Sequence, residues 1–375
     1  MKYCVIIKHV PFATLLTCLL GGLPAEARTW TDASGQYQLE GDFVDFNDGK
    51  VVLSGPDGQT MAIPLGEFSE ADRQYVRNEL TRRRNELKAE VSDKPGTILY
   101  GPGRELCKLA HEAIGESSGL ACSRRTPGVF WTHNDSGDDA RLYAFDAKGR
   151  HLGARLLSGI QAFDFEDVAS FTMEGKHYLL AGDVGNNGLA ATVMILYLIE
   201  EPDIDPRAEP QEKEVPVAEV INYAYEDDHR NCEGLAVDPT GKTILLVTKE
   251  KQATCYVYAL AWPENNPKKV STARKIATLK IPPATAMDVS PDGRRAVVAT
   301  YGNAYEYTRG ADEDWAEAFS RRPCEIVLPD RLQGESICYG LDGKTLYLTS
   351  EKLPTPLWEV RERPAGSSPE PPPAE

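Results

Sequence analysis

The chain has 375 residues and a formal net charge of −16, from 41 Lys and Arg against 57 Asp and Glu. Its apolar share of 41% and charged share of 26% fit an ordinary folded protein and exclude a disordered or collagen-like one. The acid excess argues against nucleic acid or an anionic membrane as partner, because attraction to a polyanion needs a basic surface; cationic ligands, metal ions and proteins fit better.

Residues 1–27 differ from the rest of the chain. Lys2 and Lys8 are basic, Val10 to Leu20 is mostly apolar, and Ala25-Glu26-Ala27 puts small residues at both positions of a cleavage site. This order predicts a secretory signal peptide, cut near Ala27, and export to the periplasm or beyond. The other reading, an uncleaved anchor, meets an apolar run that is short for a span. No later segment approaches the ~18 continuous apolar residues of a membrane helix. Six cysteines then remain: Cys107, Cys122, Cys232, Cys255, Cys324 and Cys338. An even number in an exported chain permits disulfides, and no CxxC pair suggests a metal or redox motif.

Residues 28–80 read as a small SH3-like β-barrel. Tyr37 to Phe46 alternates partly, as a strand does, and Asn47-Asp48-Gly49 signals a hairpin into Lys50-Val51-Val52-Leu53. Pro56-Asp57-Gly58 turns again into Thr60 to Leu65. Ser69 followed by Asp72 resembles a helix N-cap, so a helix is expected from near Glu70 toward Val91, making 81–96 a helical linker. The unit has no His, no Cys and no Gly-rich phosphate loop, so binding is its plausible use. Its ten acids and four bases would repel an acidic peptide.

Arg28-Thr29-Trp30-Thr31-Asp32, Asp48-Gly49-Lys50-Val51, Asp57-Gly58, Ile63-Pro64-Leu65 and the run from Ser69 to Leu80 resemble the SLA-one homology domain, first type. The resemblance implies adaptor activity, with a protein or peptide partner bound through 28–80. In the fungal endocytic adaptor that names the family, the domain binds Asn-Pro-Phe-x-Asp peptides. Cytoskeletal-protein, ubiquitin and identical-protein binding belong to that parent adaptor.

Residues 97–363 carry a weak repeat. Ser118-Gly119-Leu120-Ala121, Glu166-Asp167-Val168-Ala169, Glu233-Gly234-Leu235-Ala236, Met287-Asp288-Val289-Ser290 and Glu335-Ser336-Ile337-Cys338 are each followed by a second apolar run. The starts lie 48, 67, 54 and 48 residues apart. Tight turns such as Pro291-Asp292-Gly293 and Leu341-Asp342-Gly343 join the two runs in three copies. Short β-rich units of this period predict a five-bladed β-propeller, with six blades as the alternative division. The last unit runs out after Leu357-Trp358-Glu359-Val360, so Leu106 to Ala113 is expected to supply its outer strand and close the ring. The fold class is therefore mainly β. Residues 364–375 are a Pro-rich tail that cannot bury a core.

Polar residues recur at one end of the repeats. Glu166, Glu233 and Glu335 lead inner strands, while Asp135, Asp183, Lys249 and Glu351 end second strands. In a propeller both positions face one mouth of the central channel. Asn134, Asp135, Glu166, Asp183, Asn187, Glu233, Lys249 and Glu335 are thus the candidate ligand-binding residues, for a small cationic or metal-bridged ligand. Asp135-Ser136-Gly137-Asp138-Asp139 and Asp183-Val184-Gly185-Asn186-Asn187 share one form, which can present oxygen ligands from Asp135 and Asp183 to Ca²⁺. The alternative is that these Asx residues only cap strand ends. Cys232 and Cys255 are expected to face the same mouth and form a disulfide.

Catalytic signals are weak. Gly334-Glu335-Ser336-Ile337-Cys338 lacks the final Gly of a nucleophile elbow, and His133 reads as a strand-end histidine. If the chain is an enzyme, Glu166, Glu233 and Asp183 are the acid–base candidates. The stretch 116–360 also resembles secreted bacterial propellers of phytase-like and esterase-like description, on Ser118 to Arg125, His133 to Asp138, Gly182 to Asn187 and Gly334 to Ile337. Two functions emerge as expectations: an exported protein-binding adaptor, or a calcium-dependent phosphoester or ester hydrolase working at the acidic mouth.

Overall fold

The computed structural model describes residues 28–363 except 48–49, 56–58, 80–81, 83–98, 136, 241, 251–252, 264–265 and 267. The expected signal peptide at 1–27, most of the expected helical linker at 81–96, the expected tail at 364–375 and both turns expected in the small barrel lie outside the described residues.

The first unit is a four-stranded antiparallel sheet in the order β1 (Arg28–Thr31), β2 (Gln38–Asn47), β3 (Lys50–Ser54) and β4 (Thr60–Pro64). The chain returns through a bridge between Asp32 and Phe68 beside β1. Trp30 is fully buried and meets Phe43, Phe68 and Tyr75, so one indole centres the core. Helix α1 covers 70–79. Its cap is reciprocal: the Ser69 hydroxyl accepts from the Asp72 amide at 3.2 Å and donates to the Asp72 carboxylate at 2.7 Å. Asp72 also accepts from Arg28 at 2.6 Å and from the Thr31 amide at 2.9 Å, which ties helix to first strand.

Five antiparallel blades come next, which settles the division against six. Two short strands precede them, β5 (Leu99–Tyr100) and β6 (Arg104–Lys108). Blade one is β7 (Ser117–Cys122), β8 (Val129–Asn134), β9 (Arg141–Asp146) and β10 (His151–Leu157). Blade two is β11 (Phe165–Met173), β12 (Lys176–Asp183), β13 (Met194–Glu200) and, after the excursion β14 (Gln211–Val215), β15 (Glu219–Tyr225). Blade three is β16 (Cys232–Asp238), β17 (Thr243–Thr248), β18 (Cys255–Ala261) and β19 (Val270–Leu279). Blade four is β20 (Ala284–Val289), β21 (Arg295–Thr300), β22 (Ala304–Thr308) and β23 (Cys324–Ile326), with a short helix α2 (Trp315–Ser320) before its last strand. Blade five is β24 (Cys338–Tyr339), β25 (Thr345–Leu348) and β26 (Pro356–Arg363), completed by β6.

The closure expected from the sequence is present, placed slightly earlier. Leu357 pairs with Cys107 and Glu359 with Arg104, whereas Ala110 has already turned to donate to the Gly149 carbonyl. A strand from before blade one thus finishes blade five and covers its edge. The long spacing between the second and third repeats has a simple cause. β14 leaves blade two to pair in parallel with β10 of blade one before the chain returns. Likewise β15 pairs in parallel with β19, which joins blades two and three into one sheet.

The second strands of blades three and four are buried along almost their whole length, which is why β17 reads TILLVT and β21 RAVVAT rather than alternating. Five apolar clusters fill the five interfaces between neighbouring blades. Gly293 and Gly343 take positive φ at the expected Asp-Gly turns, where a side chain would be strained.

Candidate functional site

A β-bulge sits at the start of the inner strand in each of the first four blades, and the unpaired residues are Ser118, Glu166, Glu233 and Thr285. A bulge re-aims the extra side chain. Glu335 leads blade five at the matching position. The neighbouring chain turns are also equivalent. Amides of Asp135, Val184, Lys249 and Glu351 donate to the carbonyls of Glu116, Asp164, Asn231 and Gln333. The hydroxyls of Ser118 and Thr285 donate to the Glu166 and Gly334 carbonyls of adjoining blades, locking the rim.

The bulged glutamates converge with residues that end second strands. Glu166 and Glu233 are 3% and 2% exposed. Lys249 Nζ lies 2.9 Å from Glu233 Oε2 and packs over the Tyr301 ring. Glu335 accepts from Tyr301 Oη at 2.7 Å and from Gln333 at 3.0 Å. Burial lifts Glu166 well above the ordinary carboxylate range, and the charges of Glu233, Asp135 and Asp164 lift it further. Burial also raises Glu233 to about 7 against the pull of Lys249. Burial raises Glu351 to about 9, and the neighbouring Glu335 adds to it. Burial opposes ionisation of Glu335, yet donation from Glu351, the Lys249 charge, Tyr301 and Gln333 together hold it low.

Next to Glu166, Asp167 ties the inner strands of three blades together. Asp167 of blade two accepts from the amide of Val168 at 2.8 Å, Leu235 in blade three at 2.9 Å and Met287 in blade four at 3.3 Å.

The sequence-derived candidates divide. Asp135, Glu166, Glu233, Lys249 and Glu335 come together at the mouth. Asp183 is occupied in positioning: its carboxylate accepts from the Asp164 amide at 2.8 Å and the Phe163 amide at 3.3 Å. The carboxyl group beside Asp135 and Glu166 is instead Asp164, which sequence reasoning missed. Asn187 accepts from Asn231, which also donates to Glu233 at 2.7 Å. Asn134 is tied up away from the mouth, donating to the Ala113 carbonyl and to Asp138. Of the two matching Asx loops, the first commits Asp138 to Arg141 and Tyr143.

The expected Cys232–Cys255 disulfide is not formed; both are free thiols. Strand β17 separates their strands, putting them about 9–10 Å apart, beyond the ~7 Å that a bridge spans. Cys232 donates to the Gly234 carbonyl at 3.4 Å and Cys255 to the Pro282 carbonyl at 3.3 Å. The close pair is Cys122 and Cys338, whose sulfurs lie 3.7 Å apart where blade five meets blade one. No helix among the described residues is long and apolar enough to cross a membrane.

Residues 23–84 match the family model of SLA1 homology domain 1, SHD1. Over 191 residues the chain is 28% identical to the actin cytoskeleton-regulatory complex protein sla1 of Sclerotinia sclerotiorum, a match covering 44% of this chain. It spans only 17% of that relative's length. Among solved structures, a putative 6-phosphogluconolactonase from Bacteroides uniformis aligns at 14% identity over 69% of this chain and 71% of its own, with a TM-score of 0.35. Hydrazine synthase of Kuenenia stuttgartiensis aligns at 11% identity over 91% of this chain and 83% of its own, with a TM-score of 0.37.

Proposed function

Starting from the SLA1 homology domain at residues 23–84, we propose that the chain is an exported adaptor whose small barrel captures a protein segment and whose propeller carries a separate pocket. The observation that carries this reading is the family match falling on a barrel with a tryptophan-centred core. That barrel exposes Tyr37 (72%), Val44 (43%) and Met61 (39%), apolar side chains suited to contact. Its acid excess favours a neutral or basic peptide over an acidic one. Export draws support from the basic, apolar and small-residue order of residues 1–27.

The test is titration of the full chain with fluorescent Asn-Pro-Phe-x-Asp peptides and with counterparts carrying Lys in place of the Asp. The Lys series is expected to bind more tightly. A Tyr37→Ser, Met61→Ser double variant should weaken it at least about tenfold, as loss of contact anchors does. Unchanged binding by a chain lacking residues 28–80 would remove the proposal.

A second reading, ester or phosphoester hydrolysis at the mouth, is favoured by one feature: two neighbouring carboxyl groups pushed in opposite directions, Glu335 downward by its donors and Glu351 upward by burial. Turnover of a generic nitrophenyl ester or phosphate that disappears in Glu351→Gln would support it. No turnover would end it.

A further inference from the structure

Asp135 follows β8, Asp164 lies in the loop ahead of β11, and Glu166 is the bulged residue of β11. One carboxyl oxygen from each lies within 4.8 Å of the other two. Two oxygens that both bind Ca²⁺ at about 2.4 Å can be at most about 4.8 Å apart, so this is the spacing of oxygens around one ion. The loop is shaped to allow it. A side chain at position 185 would collide with the carboxylates of Asp164 and Glu166, and the residue there is Gly185. Asp183 fixes the Asp164 backbone from behind.

A second observation points to a ligand. The Glu351 side chain is only 3% exposed, and its Oε1 has no hydrogen-bond partner. It feels the charge of Asp135 on one side and of Glu335 on the other. Lys249 does not answer this need, since its ammonium group is held at 2.9 Å by Glu233. Lys352 stands off at 3.6 Å and is half exposed.

We propose that the propeller mouth is a Ca²⁺ site, with Asp135, Asp164 and Glu166 as its carboxylate ligands and Glu351 turned toward the ion's water shell. Ca²⁺ takes six to eight oxygens, so three carboxylates leave positions open for water or for an oxygen-bearing ligand. Mg²⁺, which dehydrates reluctantly and demands a tighter octahedron, suits this open trio less well. The site does not depend on the adaptor reading, because it uses no residue of the barrel.

The experiment uses the full chain, stripped with chelator and kept at about 150 mM NaCl so that exposed charges are screened. CaCl₂ is titrated while heat and melting temperature are followed. One binding event per chain is expected, with a melting temperature raised by several degrees and restored by chelator. An Asp164→Asn, Glu166→Gln double variant should bind at least about tenfold more weakly. Glu200→Gln, which removes an exposed acid on β13, should bind as the wild type does. No heat and no shift up to about 10 mM Ca²⁺, beyond the range of weak extracellular sites, overturns the proposal. An undiminished shift in the double variant does so too. Should that variant not fold, Asp135→Asn alone is held to the same criterion.

Discussion

The propeller buries two sets of acids that look alike in sequence and behave in opposite ways. Glu201, 1% exposed, accepts from the amides of Arg124 and Arg125 and from Trp131 Nε1 at 2.9–3.1 Å. Asp238 accepts from Trp315 Nε1 at 3.0 Å and pairs with Arg309 at 2.9 Å. Glu306 accepts from Tyr100 and Tyr339 at 2.6 and 2.8 Å. Every one of these holds blades, loops or the closing strand together. At the mouth, by contrast, Asp135, Asp164, Glu166, Glu335 and Glu351 gather with the part-buried Lys249 among them. A buried carboxylate ringed by donors is a rivet. A buried carboxylate facing others of its kind is a seat for a ligand, kept at a cost in stability.

The sharpest way to break this contrast is to remove a rivet. Asp167→Ala orphans three amides from three blades and should cost roughly 3–5 kcal/mol in urea unfolding, the range for stripping a buried charge network. Glu201→Ala leaves two amides and an indole without their acceptor and should cost about 3 kcal/mol. At the mouth the sign should reverse. In calcium-free buffer Asp164→Asn removes a repulsive charge and should stabilise by about 1 kcal/mol, seen as a raised melting temperature. A loss there equal to that of Glu201→Ala would erase the distinction.

The smallest effect is one of pH. Burial pushes Asp288 up to about 6. Its unfolded value is near 3.9, so the folded chain holds this proton more tightly. The resulting stabilisation is fully present below about pH 3.9 and is lost as pH rises through about 6. The stability advantage of wild type over Asp288→Asn should therefore grow as pH falls from about 7 to about 5, measured by urea unfolding at each pH. A constant difference would mean that Asp288 does not titrate in this window.

Much of the architecture was legible because the buried second strands write apolar runs, and Asp-Gly turns separate them from the inner strands in front. Ser69 and Asp72 announced their helix for an equally local reason. The site was legible only in part. Repeat position revealed Glu166, Glu233 and Glu335, but the bulges that aim Ser118, Glu166, Glu233 and Thr285 are properties of strand register. Asp164 looked like any loop aspartate, because nothing local shows that Asp183 turns it toward Glu166. Asn134 was misplaced for the converse reason: its donors and acceptors come from Ala113, Glu116 and Asp138. Cysteine pairing failed because it depends on how many strands lie between two thiols.

The latch strand β6 has a mechanical consequence. It joins covalently, through the segment before residue 99, to the barrel that would hold a partner. Tension along that tether would pull β6 lengthwise against β26, shearing several ladder bonds and the Arg104–Glu359 ion pair together instead of peeling them singly. The seam that closes the ring would thus meet load along its strands, the direction in which a ladder yields last.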